Sequence, residues 1–282
     1  MLGHWLDWRR EGKACALLTL VGCDGPAPRP VGSQMAVCED GRSVGMISGG
    51  CIERALVLDA ISAMATGANH VERYGSGSRF KDLRLACGSG IDIHFDVTVA
   101  GETVEAIAGA LDARREAVLS LDLGGRVFER AYRPEVRLML AGQGPIMACA
   151  AALARGLEMG VAAFTPDEDV AAALQAQGFA VSATSRAGGL PLDRYTAVLV
   201  LFHDHDLEAD VLAKALRSEA FYIGALGSRT AQSARLERLA AMGIVAAGRI
   251  HGPVGLDIGA ATPPEIALAA LAEIVACYRA SL

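Results

Sequence analysis

The feature of this sequence that most constrains its fold is a strand-like run that leads into a glycine turn and then a helix. Residues 136–141 are mainly apolar, Gly142-Gln143-Gly144-Pro145 follow at once, and an alanine-rich segment continues to about residue 158. Glycine has no Cβ and allows a tight turn next to a ligand, whereas proline fits the first turn of a helix. This order predicts the first strand–turn–helix unit of a parallel sheet that binds ligands beside the turn.

The residues that follow predict a Rossmann-like topology that lacks part of the usual dinucleotide site. Apolar runs at 161–164, 196–202 and 220–225 predict three further strands. Met147 occupies the position of the third glycine in the G-x-G-x-x-G pattern, and the second strand ends at Thr165, where an acidic residue would bind ribose. We therefore predict a Rossmann-like domain and do not expect it to use NAD(P).

The first half of the chain contains another glycine turn, which ends in a cysteine. Ser48-Gly49-Gly50-Cys51 joins a strand-like run to an amphipathic run at 51–65. A thiol at a helix N-terminus lies beside free N–H groups and the positive end of the helix dipole, which suits an oxyanion, a phosphate or a thiolate. The dipole contributes only about 0.3–1 kcal/mol, so a reactive thiolate also needs a hydrogen bond, a cation or a metal. The alternative is a small side chain that fills a tight turn.

Other patterns in the first half predict a mixed α+β domain. Residues 34–38 and 42–47 flank an Asp-Gly pair, which predicts a hairpin with a type I′ turn, and residues 83–86 predict a short strand. Residues 91–97 alternate between apolar and polar side chains, as in a half-buried strand. On that pattern we expect His94 to face solvent.

Length and composition indicate two α/β domains. The chain has 282 residues, of which 52% are hydrophobic and 5% aromatic, so it can bury two cores and favours helix-covered sheets over a β-sandwich. Residues 133–135 are a candidate linker. The predicted organisation is an N-terminal α+β domain over 1–132 and a Rossmann-like parallel-sheet domain over 136–282.

Charge and cysteine patterns exclude several classes of protein. The net charge is −6 with no basic stripe, so we expect no nucleic acid partner. We find no signal-peptide pattern and no uninterrupted apolar run of membrane-spanning length, and expect a cytoplasmic protein that does not bind membranes. The seven cysteines include no C-x-x-C pair and fit neither a disulfide framework nor a structural zinc site. Cys51 and Cys87 lie next to glycines and are expected to be the accessible thiols.

Three polar segments of the second half are candidate ligand sites, and the first two follow predicted strands, where open α/β sheets bind ligands. The first has two histidines and two aspartates and predicts a metal or proton-transfer site, unless an aspartate only caps a helix. The second offers hydroxyls and a guanidinium to a phosphate, and the third is a glycine-rich loop with an aspartate. The candidate residues of these segments are His203 and His205, then Ser228, Arg229 and Thr230, and then Asp257.

Seven motifs of this chain occur together in one order that is known from one family. They are the proline loop ending at Pro30, residues 48–53, Cys87-Gly88, Gly142-x-Gly144-Pro145, residues 203–205, residues 222–230 and residues 255–259. In this set and order the chain resembles the xanthine dehydrogenase accessory family, known as XdhC/CoxI, over nearly its whole length. Two positions depart from the family pattern, because Ser89 replaces a glycine after Cys87-Gly88 and Thr165 replaces a frequent aspartate.

The resemblance implies a chaperone of molybdenum cofactor rather than a catalyst. Family members bind molybdopterin-based cofactor as dimers, protect it while a cysteine desulfurase supplies a sulfido ligand, and deliver it to a xanthine dehydrogenase-like molybdenum hydroxylase. By resemblance, Cys51 and Cys87 are candidate metal ligands. The candidate cofactor-binding residues are Gly49, Gly50, Cys51, Glu53, Cys87, Gly142, Gly144, His203, His205, Ser228, Arg229, Thr230 and Asp257.

Two other functions stay open from the residues alone. An NAD(P)-dependent oxidoreductase would use the Gly142–Gly144 turn, although Thr165 weighs against it. A metallohydrolase would use His203, Asp204 and His205, although no separate further ligand follows at a recognisable spacing.

Overall fold

The structure is a computed structural model that describes residues 1–26, 29–79, 85, 88–182, 192–202, 205–246 and 248–282. The side chain of His205 lies outside the described part, as does most of the strand predicted at 83–86. The chain divides into two compact units, Met1–Pro134 and Glu135–Leu282. The division falls within the segment 133–135 that composition indicates as a linker.

The first unit contains a five-stranded antiparallel sheet, three helices and a separate hairpin. The strand order in the large sheet is β3-β2-β1-β5-β4, and β6 pairs with β7 in the hairpin. The elements in chain order are α1 (Leu2–Arg10), β1 (Cys15–Asp24), β2 (Gln34–Cys38), β3 (Ser43–Gly45), α2 (Glu53–Thr66), β4 (His70–Gly75), β5 (Gly90–Asp96), α3 (Gly101–Asp112), β6 (Ala117–Asp122) and β7 (Val127–Tyr132).

The large sheet of the first unit is covered on both faces. One face packs against α2 through a cluster that includes Leu18, Leu56 and Phe95. The other face packs against α1 and α3 through a cluster that includes Trp5 and Ile107. Because Ile52 and Leu56 belong to the first of these clusters, the sheet holds the N-terminal turn of α2 in place.

The expectation that His94 faces solvent is wrong. His94 is only 2% exposed and lies in register with Thr19 of β1 and Val71 of β4. Alternation along β5 shows correctly which residues share a face, but the face with the polar residues is covered by α1, α3 and the β6/β7 hairpin. Burial lowers the pKa of His94 because it disfavours the charged imidazolium.

The second unit is a six-stranded parallel sheet with helices on both faces. The strand order is β10-β9-β8-β11-β12-β13, which is the 3-2-1-4-5-6 order of a Rossmann fold. The elements are β8 (Arg137–Gly142), α4 (Pro145–Gly156), β9 (Gly160–Phe164), α5 (Glu168–Ala176), β10 (Ala180–Ser182), β11 (Thr196–Leu201), α6 (His205–Leu216), β12 (Tyr222–Ala225), α7 (Arg229–Ala241), β13 (Ile250–His251) and α8 (Pro263–Ala280).

Two cores lie on opposite faces of this sheet. One is formed with α4 and α8 and includes Met147 and Ile274, and the other is formed with α6 and α7 and includes Leu212 and Leu239. The fold class predicted from the sequence is confirmed for this part of the chain. Within the described residues, no helix combines the length and apolarity needed to cross a membrane.

Candidate functional site

Glu53 fixes the turn that carries Cys51. Its carboxylate accepts backbone N–H groups of Ile47, Ser48 and Gly50 at 3.1, 2.7 and 2.9 Å, and also the Ser48 hydroxyl. The Ser48 hydroxyl in turn accepts the N–H of Ile52 at 3.0 Å. Burial opposes ionisation of Glu53, but the hydrogen bonds from Ser48 and from the backbone lower its pKa below the usual value. The turn is therefore bound at several points to one carboxylate at the start of α2.

The N-terminus of α2 is less available to a ligand than the sequence predicts. The sequence indicates free N–H groups above the turn, but the N–H of Gly50 is already bound by the Glu53 carboxylate. Gly49 and Gly50 both have positive φ values, of 78° and 105°, which L side chains rarely adopt. The glycines and Glu53 thus set the shape of the turn, and Cys51 is left as an exposed thiol on it.

The glycine turn after β8 is shaped by close contact with the neighbouring strand. A Cβ on Gly142 would lie 2.5 Å from the carbonyl carbon of Leu201, so only glycine fits where β8 and β11 end side by side. Gly144 precedes α4 with a φ of 78°, and Pro145 occupies the first turn of the helix. Met147, in the place of the third glycine, is fully buried in the core under α4.

The end of β9 contains no acidic side chain suited to a ribose. Thr165 is fully buried, and its hydroxyl accepts the N–H of Asp167 at 3.1 Å. The Asp167 carboxylate caps α5 by accepting the N–H of Val170 at 3.1 Å. The Asp167 carboxylate is therefore used to begin the next helix.

The turn after β12 places three polar side chains at the start of α7. Ser228 is the N-cap and accepts the N–H of Ala231 at 3.2 Å, and Arg229 and Thr230 are exposed. A helix N-terminus with these groups is suited to an anion such as a phosphate.

A buried arginine, Arg235, binds the backbone of the turn after β12. The Arg235 guanidinium donates to the carbonyl of Leu226 at 2.6 Å and pairs with the Glu208 carboxylate at 2.7 Å, and both charged side chains are only 4% exposed. Glu208 lies in the first turn of α6, directly after the histidine segment. Arg235 therefore connects the start of α6 with the turn that carries Ser228. Sequence analysis missed this pair, which joins residues 27 positions apart.

Glu273 of α8 holds the glycine-rich loop that begins at His251. Its carboxylate accepts the Tyr222 hydroxyl at 2.5 Å and the N–H of Gly255 at 2.9 Å, and it lies 3.1 Å from Nδ1 of His251. Burial opposes ionisation of Glu273, but these hydrogen bonds lower its pKa. Asp257 is exposed further along the loop. The sequence signal for Glu273 is an acidic residue within an otherwise apolar part of α8.

Three candidates lie outside the described residues, namely Cys87, His203 and the side chain of His205. Among the residues that the structure does describe, no group of three or more His, Cys, Asp or Glu side chains is arranged to hold a metal ion. The contribution of Cys87 and of the histidine segment stays a prediction.

The fold and these turns define a two-domain α/β protein, with an exposed thiol on a turn of the first unit and glycine-containing turns at the carboxyl ends of strands in a Rossmann domain. Residues 8–75 match the family described as "XdhC and CoxI family", and residues 138–274 match the "XdhC Rossmann domain". The chain belongs to the XdhC and CoxI family, which confirms the resemblance found in its motifs.

Several known proteins are similar to this chain over most of its length. "Molybdenum cofactor insertion chaperone PaoD" of Escherichia coli is 34% identical, over 94% of this chain and 83% of that protein. A Bacillus subtilis protein, described as a probable subunit of xanthine dehydrogenase, is 25% identical, over 98% of this chain and 96% of that protein. A crystal structure from Bacillus halodurans, described as a xanthine dehydrogenase, has the same fold, with a TM-score of 0.79 at 18% identity over 99% of this chain and 96% of that chain.

Proposed function

We propose that this protein is a molybdenum cofactor chaperone that binds the cofactor and inserts it into a xanthine dehydrogenase-like molybdenum hydroxylase. The observation that carries the proposal is the exposed thiol of Cys51 on a turn fixed by Glu53. A similar protein covering nearly the same length is named a molybdenum cofactor insertion chaperone, which supports the same role here.

The residues of the Cys51 turn fit such a cofactor. Its metal, when bound, supplies the redox chemistry of the recipient enzyme, and a thiolate is a soft ligand suited to that kind of metal centre. Gly49 and Gly50 present no side chain, so a large ligand can approach the thiol. Glu53 keeps the turn in one shape and does not need to contact the ligand itself.

The second unit is proposed to bind the phosphate end of the cofactor. Ser228, Arg229 and Thr230 provide a hydroxyl-rich helix start with a guanidinium, and Gly142 and Gly144 place no side chain at the carboxyl end of β8. The remaining proposed contacts are Cys87, which is also a proposed metal ligand, and His203, His205 and Asp257.

The proposal also includes partners. The chaperone works as a homodimer, receives a sulfido ligand for the cofactor from a cysteine desulfurase, and then delivers the cofactor to the hydroxylase. Delivery to a molybdenum enzyme is supported by the names of two similar proteins, and the desulfurase and the homodimer are carried over from the family resemblance of the motifs. An NAD(P)-dependent oxidoreductase is the alternative, and the use of Asp167 as a helix cap disfavours it.

A retention experiment separates the two functions. Purified protein is mixed with molybdenum cofactor, NAD(H) or zinc and passed through a gel-filtration column. We expect only molybdenum cofactor to elute with the protein, and calorimetry to give a Kd for NAD(H) above about 1 mM. Loss of the molybdenum cofactor on the column would contradict the chaperone, and a micromolar Kd for NAD(H) would favour the oxidoreductase.

Replacing Arg229 with alanine should weaken cofactor binding. The variant removes a charge-assisted hydrogen bond to the phosphate, worth about 1.5–3 kcal/mol, which is about 10- to 150-fold in Kd. Titration of the variant with cofactor measures the change, and Arg238→Ala at the other end of α7 is the matched control. Equal loss in both variants would indicate a general effect of charge, and no loss in Arg229→Ala would remove this residue from the site.

A further inference from the structure

Helices α4 and α8 of the second unit are apolar on the side that faces away from the sheet. Their inner sides bury residues such as Met147, Ala150 and Leu271 in the core. Arg155 is the one charged residue of α4, and its guanidinium stacks over Phe179 at 4.0 Å from the ring centroid. A helix that is apolar on all sides is normally covered on all sides.

The outer sides of both helices carry exposed apolar residues. Leu153 of α4 is 38% exposed, Leu157 at its C-cap is 49% exposed, and Leu268 of α8 is 52% exposed. Ala272 and Val275 of α8 are partly exposed. The two helices pack against each other, and we call the surface formed by their outer sides the α4/α8 face.

Residues along the outer side of α8 have the spacing of a helix-pairing seam. Glu265, Leu268, Ala272, Val275 and Arg279 are separated by three, four, three and four positions, as the core positions of a coiled coil are. The three central residues are apolar, and the small side chain of Ala272 lies in the middle, where it permits close approach. Glu265 begins the seam and Arg279 ends it. One carboxylate oxygen of Glu265 also caps α8 by accepting the N–H groups of Ala261 and Thr262, both at 2.9 Å.

The charges of this seam are complementary to those of a second copy of the same seam. Glu265 and Arg279 each lie seven positions from Ala272. Two α8 helices that cross in antiparallel orientation about a two-fold axis at Ala272 therefore place each Glu265 opposite the Arg279 of the other copy. Such self-complementarity is the requirement for a two-fold dimer.

We propose that the α4/α8 face binds a second copy of this chain, with each α8 antiparallel to the other. The inference rests on the homodimer part of the proposed function and not on cofactor binding. Helices of 12 and 18 residues are about 18 and 27 Å long and pack about 9 Å apart. Two copies then bury about 1,000 Å² in total, near the lower limit for a specific interface, and the expected dimer dissociates at micromolar concentration.

Sedimentation equilibrium tests the face with Ala272→Glu. Wild-type protein at about 1–100 µM should change from monomer to dimer, and Ala272→Glu should raise the dissociation constant at least about tenfold because two carboxylates meet at the axis. Leu236→Glu, on the outer side of α7 at a residue 40% exposed, is the matched control and should leave the dimer unchanged.

A charge exchange tests the antiparallel arrangement. Arg279→Glu should weaken the dimer, and adding Glu265→Arg should restore it, with circular dichroism checking that α8 still forms without its capping carboxylate. A wild-type protein that stays monomeric over the whole concentration range would contradict both the homodimer and the proposed interface. A dimer that Ala272→Glu leaves intact would show that the α4/α8 face is not the dimer interface. The hydroxylase would then be the expected partner for this face. Cofactor retention, measured separately, decides the chaperone function in either case.

Discussion

Replacing Cys51 with serine should reduce retention of molybdenum cofactor at least about tenfold, which is about 1.4 kcal/mol or more. The hydroxyl is a much poorer ligand for a soft metal centre than a thiolate. The turn itself should persist, because its hydrogen bonds are made by Glu53, Ser48 and the backbone and none of them uses the thiol.

Fluorescence of the oxidised pterin after gel filtration measures the cofactor retained by each variant. Cys149→Ser in α4 is the matched control, since it removes a partly exposed thiol from the other unit and should retain as much cofactor as the wild type. Equal retention by Cys51→Ser and wild type would show that Cys51 is not part of the site. A loss in both variants would indicate that the cofactor binds thiols without selecting this turn.

The sequence predicts the elements of this protein better than the contacts between them. The apolar run before Gly142 and the alanine-rich run after it are local signals, and they identify β8 and α4 correctly. The role of Glu53 is also local, because its partners lie within six positions, but residue types alone do not show that a carboxylate will bind several N–H groups at once.

Contacts that depend on packing are the ones that the sequence does not show. Arg235 and Glu208 meet because α6 and α7 pack on the same face of the sheet, and Glu273 reaches Tyr222 across 51 positions. The error at His94 has the same origin, since alternation defines a face of β5 but not the helices and the hairpin that cover it. The roles of Cys87 and His203 stay predictions from the sequence.

The supports of the candidate turns also explain why these turns can hold one shape next to a ligand. Glu53 binds the Cys51 turn, Arg235 binds the turn before Ser228, and Glu273 binds the loop before Asp257. In each case a charged side chain on a helix accepts or donates hydrogen bonds at the backbone of a glycine-containing segment. Glycine has no side chain that could pack and hold these segments in place. The hydrogen bonds from the charged side chain hold them instead.

Replacing Arg235 with methionine should therefore destabilise the second unit by about 3–5 kcal/mol, the usual effect of removing one partner of a buried ion pair. The change takes the guanidinium away from the buried Glu208 carboxylate and from the carbonyl of Leu226. For a unit of this size the melting temperature should fall by about 6–20 °C. Arg229→Met, at an exposed position of the same helix, is the matched control and should stay within about 0.5 kcal/mol of the wild type.

The two units can be followed separately in this experiment, because both tryptophans, Trp5 and Trp8, lie in the first unit. Their fluorescence should report an unchanged transition in Arg235→Met, whereas hydrogen exchange should increase in α6, α7 and the turn after β12. The double variant Arg235→Met/Glu208→Leu should recover part of the lost stability, since it removes the buried charge that the single variant leaves behind. A single variant as stable as Arg229→Met would show that the pair does not hold the turn.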